Sequence, residues 1–482
     1  MSQFDNPEVS SSHIRWKNDS AFDVVGTVNA VVMDDGPGGV IDSPNDKPAV
    51  VTRARQGFAQ KACFVTLCTY LLSGFTNELA LRLIDTKAYI STVTLVLMPA
   101  LLLLTGTAFR GIRVSFGKWW IAFGCWLAIC APFSVWRSDT AHLLLNYYFR
   151  SFLLYFVICA CVLTLRRLRT LMYVLGFGNL LVVLCCFAFG SMENGRLSIP
   201  GSSFSFLSNA NELGLQLLLG ITTLLFALFR GGKFVKSVSA ATVALSVVYM
   251  LKTGSRGVLV AALAVMLFCV LLSRKRIKIL AAVLPLLAVV LLLLPKDTRH
   301  RLTYFAMGDD TLISNEEEAS ALGSQRQRQQ LFWNSVRLTL EHPIFGVGPG
   351  EFIVEDAREA EKKGEYGVWR QTHNSYTQIS SEAGIPGLIF YVCSLLACLS
   401  LNYRIYKQTA GKNGLEDYAV LSFCMLLSTI GYAVGTIFDH LAYMGYLPMI
   451  AGVTTACYLA ARPTLQPNTP RPSYGRPSRS SL

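Results

Sequence analysis

Apolar residues in this chain gather into long unbroken blocks separated by short polar connections, with neither the alternation of a strand nor the one-sided stripe of a surface helix. Most blocks run for about 18–23 residues, the length a helix needs to cross roughly 30 Å of hydrocarbon. The pattern predicts helices at 60–77, 89–108, 118–136, 148–165, 171–190, 207–229, 236–253, 257–273, 277–295, 385–403, 418–437 and 440–461. The fold class this implies is an all-α polytopic membrane protein of about 12 transmembrane helices, a class set by the need to satisfy every backbone polar group inside lipid.

Basic residues sort the connections into two sets. With the N-terminus inside, the inner connections hold Arg110 and Arg113; Arg166, Arg167 and Arg169; Arg230 and Lys233; Arg274, Lys275, Arg276 and Lys278; Arg404, Lys407 and Lys412. The outer short connections hold fewer, chiefly Arg82, Lys87, Arg137, Arg196 and Arg256. This alternation is how orientation is encoded in membrane proteins. It predicts a cytoplasmic N-terminal tail at 1–58, helices 1–9 within 59–295, a large external loop at 296–384, helices 10–12 within 385–461, and a cytoplasmic C-terminal tail at 462–482. Both tails are rich in polar residues, Gly and Pro and read as disordered.

Composition sharpens this picture in two places. Hydrophobic residues make up 52% of the chain and charged residues only 15%, well short of a soluble domain's share. The net charge of +13 lies in the short clusters just named, which argues against nucleic acid as a partner. The 13 cysteines all fall within or beside apolar blocks, so the large loop has no disulfide framework and no zinc-ligand spacing.

That loop is too long for a structureless connection, and loops of such length are usually functional. It predicts an amphipathic helix from Gln325 to Leu340, ended by His342-Pro343 and followed by the tight turn Gly346-Val347-Gly348-Pro349-Gly350. Three features carry candidate chemistry. Thr253-Gly254-Ser255-Arg256-Gly257 offers a guanidinium fork for an anion, or else a snorkelling arginine at a helix end. Arg326 and Arg328 on the loop helix suit phosphate, or else a solvated face. Thr372-His373-Asn374-Ser375-Tyr376, running on to Glu382, places a histidine where it can accept a proton near neutral pH, or else make a structural hydrogen bond. Asn209, Asn211 and Glu212 open the sixth block, where polar groups in lipid point to a cavity or partner. Arg196 can add to an anion site, and Asp439-His440 reads as an interfacial cap.

Taken in order, these segments resemble the O-antigen ligase and O-antigen polymerase superfamily of bacterial envelope glycan enzymes. The resemblance rests on Gly195-Arg196-Leu197 with Asn209–Gly214, Gly254-Ser255-Arg256-Gly257, Arg328 through Glu341-His342-Pro343 to Gly350, and His373-Asn374-Ser375-Tyr376 with Glu382–Gly387. It implies a metal-independent, inverting glycosyltransferase of the cytoplasmic (inner) membrane, with both termini cytoplasmic. Such an enzyme takes a glycan from a polyprenyl-diphosphate donor to the hydroxyl of a lipid or glycan acceptor. It implies no cofactor, since the carrier diphosphate is already the leaving group, and as partners membrane lipids and polysaccharide-assembly proteins. The resemblance assigns the catalytic base to His373 and diphosphate binding to Arg256 and Arg328, with Arg326 as the alternative to Arg328 and Arg196 as an addition. Asn374, Tyr376, Glu382 and Asn211 are expected in support. The readings left beside it are a polymerase using the same donor and a lipid-linked glycan transporter, though no half-to-half repeat of the transporter kind is visible.

Overall fold

The computed structural model describes residues 57–73, 90–193, 195–202, 205–273, 316–364, 367 and 369–465, with positions 276, 277, 281 and 285 between. The expected ninth span at 277–295 and nearly all of both expected tails lie outside the described residues, apart from those few positions and the tails' inner edges.

The expected blocks that fall within the described residues become helices. In order they are α1 (57–73), α2 (Ile90–Leu104), α3 (Ser115–Cys130), α4 (Arg137–Leu143), α5 (Phe149–Cys161), α6 (Leu165–Phe189), α7 (Ser205–Ser208), α8 (Ala210–Arg230), α9 (Lys233–Lys252), α10 (Arg256–Leu272), α11 (Glu316–Glu341), α12 (Phe352–Lys362), α13 (Ser375–Thr409), α14 (Glu416–Gly435) and α15 (Tyr446–Leu465). A π-helical turn, Leu144–Tyr148, joins α4 to α5. The one sheet among the described residues is a hairpin of Ser191–Glu193 and Arg196–Ser198, pairing Met192 with Leu197. Seven of the described helical segments are long and apolar enough to cross a membrane. Large apolar side chains such as Val96, Leu103, Phe187 and Leu267 stand on the outside, where water would make them costly and lipid does not.

Local signals set the helix ends. Thr164 accepts a hydrogen bond from the Arg167 backbone N–H and starts α6, and the Asn209 side chain does the same for Asn211 at the start of α8. α8 packs on α6, α9 and α14, while α13 packs on α3 and α14, and α15 on α5. Polar side chains inside the bundle find each other, as helices in lipid require. Asn179 donates to Ser246 Oγ at 2.9 Å, and the Tyr391 and Tyr432 hydroxyls lie 3.0 Å apart.

Among the boundaries that depart from the expected ones, two shape the site. α13 begins at Ser375, ten residues ahead of the apolar block at 385, because Asn374 caps it and its first turns pack against protein instead of lipid. The last helix begins at Tyr446 and not at 440, which leaves Asp439 and His440 in the connection between α14 and α15.

Candidate functional site

α13 is broken at Gly384, whose φ of 69° lies in the left-handed region. The break frees carbonyls that a continuous helix would have used, and the Pro343–Gly350 turn takes them. Val347 N–H donates to Ser381 O at 2.9 Å, Gly348 N–H to Glu382 O at 3.0 Å, and in return Ile385 N–H donates to Pro343 O at 2.8 Å. Trp126 Nε1 takes the Ala383 carbonyl at 2.8 Å. A Cβ on Gly346 would sit 2.3 Å from the Glu382 carbonyl carbon, and one on Gly384 2.0 Å from Ile344 O, so neither position accepts a side chain. The glycine-rich turn is therefore a clasp that ties the end of α11 to the kink of α13.

Glu382 is fully buried at this kink, where its Oε2 accepts from Tyr443 Oη at 2.7 Å and from Gly350 N–H at 3.0 Å. Glu351 beside it accepts from Thr140 at 3.2 Å. Burial first, then the nearby Asp139 charge, push the Glu351 carboxyl up to about 8.

The start of α13 is fastened to the α14–α15 connection. Ser375 N–H donates to Thr436 O at 2.9 Å, Ser375 Oγ donates to Asp439 O at 2.8 Å, and Leu441 N–H donates back to Ser375 Oγ at 2.8 Å. Asn374 Oδ1 caps the helix by accepting from Tyr376 and Thr377 N–H, and Tyr376 Oη donates to Ala433 O at 2.8 Å. Asn374 and Tyr376 thus build the ledge on which His373 sits.

His373 has a φ of 51°, rare for a residue with a side chain and costly by about 1–3 kcal/mol. Its ring stands edge-on to His440 with centroids 5.3 Å apart, and its Nδ1 is buried without a hydrogen-bond partner. Asp439 is buried, its Oδ1 accepting from the His440 backbone N–H at 2.9 Å and lying 3.2 Å from His440 Nδ1. That second approach is an ion-pair contact without hydrogen-bond alignment, and Asp439 Oδ2 has no hydrogen-bond partner. Burial, then the His440 and Arg328 charges, lower His373 to about 4. Burial opposes charge on Asp439 and His440 as well, but each sustains the other: Asp439 is held below its usual range and His440 is raised.

One ligand atom each from His373, Asp439 and His440 falls within 4.8 Å of the others, a spacing that a divalent cation can bridge. Arg328 and Arg370 bear on the same histidine, and this excess of positive charge opposes a dication, so we assign no metal to the cluster.

The arginines arrive from the other side. Gly254, with a φ of 60°, turns the chain from α9 into α10 and sets Arg256 at the first position of that helix. Arg256 donates to Gln325 Oε1 of α11 at 3.2 Å. One turn further along α11, Arg328 is half-buried and bears on both Arg256 and Asp439. Among the described residues it makes no hydrogen bond or ion pair. Arg326 is exposed, since two residues on a helix turn a side chain by about 200°. Arg196 donates to Asn211 Oδ1 at 2.5 Å and to Thr253 O at 3.2 Å, while Ser255 donates to the same Asn211 oxygen at 2.9 Å. Arg196 and Asn211 are thereby engaged in holding the α9–α10 turn.

Arg328 thus bears on both Arg256 and His373, whereas Arg326 is exposed. The reading of Asp439-His440 as a simple cap missed their place beside His373. The signal available was their position in a connection assigned to the same side as the loop. A helical bundle with seven described segments long and apolar enough to cross a membrane is that of an integral membrane protein, and the cationic, histidine-bearing cluster lies at one end of it. Residues 241–392 match the O-antigen ligase family, a stretch running from α9 into α13 that includes Arg256, Arg328, His373 and Glu382, and the match supports membership of the O-antigen ligase and polymerase superfamily. No curated protein matches the chain.

Proposed function

We propose that this protein is a metal-independent, inverting glycosyltransferase. It moves a glycan from a polyprenyl-diphosphate carrier to an acceptor hydroxyl at the outer face of the cytoplasmic membrane. The observation that carries this reading is Arg328: a half-buried guanidinium, set against the like charge of Arg256 and beside a neutral histidine, is poised for an anion. In the transfer, the acceptor oxygen attacks the anomeric carbon and His373 takes its proton. The bond to the phosphate oxygen breaks, and the diphosphate departs with the electron pair. Charge grows on that leaving group as the bond opens, so fixed guanidinium groups stabilise the transition state more than the ground state. Attack opposite the departing diphosphate inverts the anomeric centre. The ligase and polymerase readings share this chemistry and differ only in the acceptor.

The test is donor affinity measured beside single-turnover transfer at matched amounts of folded protein. His373→Ala should leave donor affinity nearly unchanged and slow transfer by about 10²–10⁴-fold, the worth of a positioned base. Transfer at the wild-type rate would make His373 structural and end this reading. The reading also requires the site to lie outside, in a chain of about 12 spans with both termini cytoplasmic. A topology reporter near residue 320 should report the external side; a cytoplasmic signal there would remove the donor from the site's reach.

A further inference from the structure

The structure brings two histidines, one loop-borne and one from the α14–α15 connection, to a single buried carboxylate. We propose that His440 is a positioning residue that holds the one proton Asp439 can sustain, and so keeps His373 unprotonated and free to accept a proton. This deepens the transfer reading and rests on it for its functional meaning.

The two histidines compete for one proton. Asp439 is a single buried negative charge with a ligand atom within 4.8 Å of both rings. A buried carboxylate stabilises an imidazolium beside it, and two imidazolium groups 5.3 Å apart repel, so only one ring keeps the proton. The surroundings decide which. His440 faces, besides Asp439, the carboxylates Glu212 of α8 and Glu382 of α13. His373 faces Arg328 of α11 and Arg370 of its own loop. Two acids attend one ring and two guanidinium groups the other, so the proton settles on His440. The geometry agrees: neither Nδ1 makes a hydrogen bond, but His440 Nδ1 lies 3.2 Å from Asp439 Oδ1 in an ion-pair contact, which His373 lacks among the described residues. Without the His440 charge, Asp439 would turn to His373 and form an imidazolium–carboxylate pair there. A protonated His373 cannot take the acceptor's proton.

His373 is held near 4, so it is in its proton-accepting form at all pH values above that and loses it as pH falls through that value. Removing the His440 charge raises the His373 midpoint, while burial and the Arg328 and Arg370 charges still hold it below the ordinary histidine range. Proton-accepting His373 is then lost at a higher pH than in the wild type.

The experiment uses the full chain in proteoliposomes and diethyl pyrocarbonate, which modifies neutral imidazole, with the His373 peptide quantified by mass spectrometry across pH. Wild type should label well into the acid range. His440→Gln should shift the labelling midpoint upward by about one pH unit, and His440→Lys, which restores a cation, should bring it back down. An unchanged midpoint in His440→Gln, or a shift that His440→Lys leaves in place, overturns the proposal. Should the glutamine variant not fold, His440→Asn poses the same question. Labelling is repeated with chelator present: an unchanged curve is expected, whereas chelator-dependent exposure of His373 would mean a bridging metal and would also overturn the proposal. Because labelling needs no glycan, a shifted midpoint together with wild-type transfer by His373→Ala would leave this inference standing and remove the transfer reading alone.

Discussion

The two ends of the bundle treat arginine in opposite ways. At one end Asp417, buried at the start of α14, takes Arg169 from α6 and Arg230 from α8 on its two oxygens. Three helices are pinned by one carboxylate, and the charges are spent on each other. At the other end α10 and α11 bring Arg256 and Arg328 toward one another, and Asp439, the acid that bears on Arg328, is already in contact with His440. Folding alone gives no reason to gather like charges, since each half-buried guanidinium beside another is electrostatically unfavourable. Structure is where opposite charges meet within the chain. Arg328, by contrast, makes no ion pair among the described residues.

The most direct way to break this comparison is to remove the uncompensated charge. Arg328→Ala should leave the fold intact and lower single-turnover transfer by about 10²–10³-fold, the usual loss when one donor to a developing anion is deleted. Donor affinity should fall with it. The companion variant Arg326→Ala takes the same residue type from the exposed face of the same helix and should change transfer by less than about twofold. Equal effects from the two would mean that general positive charge on α11 matters and that the convergence on Arg256 does not.

Much of the bundle was legible because lipid makes strict demands. The blocks at 171–190, 207–229 and 236–253 returned as α6, α8 and α9 with their ends moved by a few residues. The loop helix expected from Gln325 was found within Glu316–Glu341. The choice between Arg326 and Arg328 stayed open in the sequence, since both lie on one helix and only the packing of α11 against its neighbours separates the inward face from the outward one. Asp439 and His440 were misjudged for a related reason. Hydropathy extended the last span over them, and nothing local shows that Ser375 fastens this connection to the start of α13. Glu382 was singled out as support, but its work as the acceptor for the Gly346–Gly350 clasp depends on a kink at Gly384 that periodicity cannot register. Residues far apart in sequence made the site, and a one-dimensional pattern reads contacts only within its own window.

The paired end offers the smaller and complementary prediction. Asp417 is buried while Arg169 and Arg230 keep between a third and a half of their side chains exposed, so solvent screens both attractions. Asp417→Asn keeps the shape and some hydrogen bonding but leaves the two guanidinium groups without their shared counter-charge. Hydrogen bonds to charged groups are worth about 1.5–3 kcal/mol each when desolvated, and screening of the exposed arginines brings the expected loss to about 1–2 kcal/mol in total. In thermal unfolding of the protein in detergent this should appear as a drop of a few degrees in the midpoint, larger at low salt than at high salt. Transfer per folded molecule should not change, because the pair ties α6, α8 and α14 at the end of the bundle away from His373. The contrast with Arg328→Ala is the point of the measurement: one variant should cost stability and spare transfer, the other the reverse. If Asp417→Asn slows transfer as severely as Arg328→Ala at equal amounts of folded protein, the two ends are coupled and the division between structural and functional arginines drawn here fails.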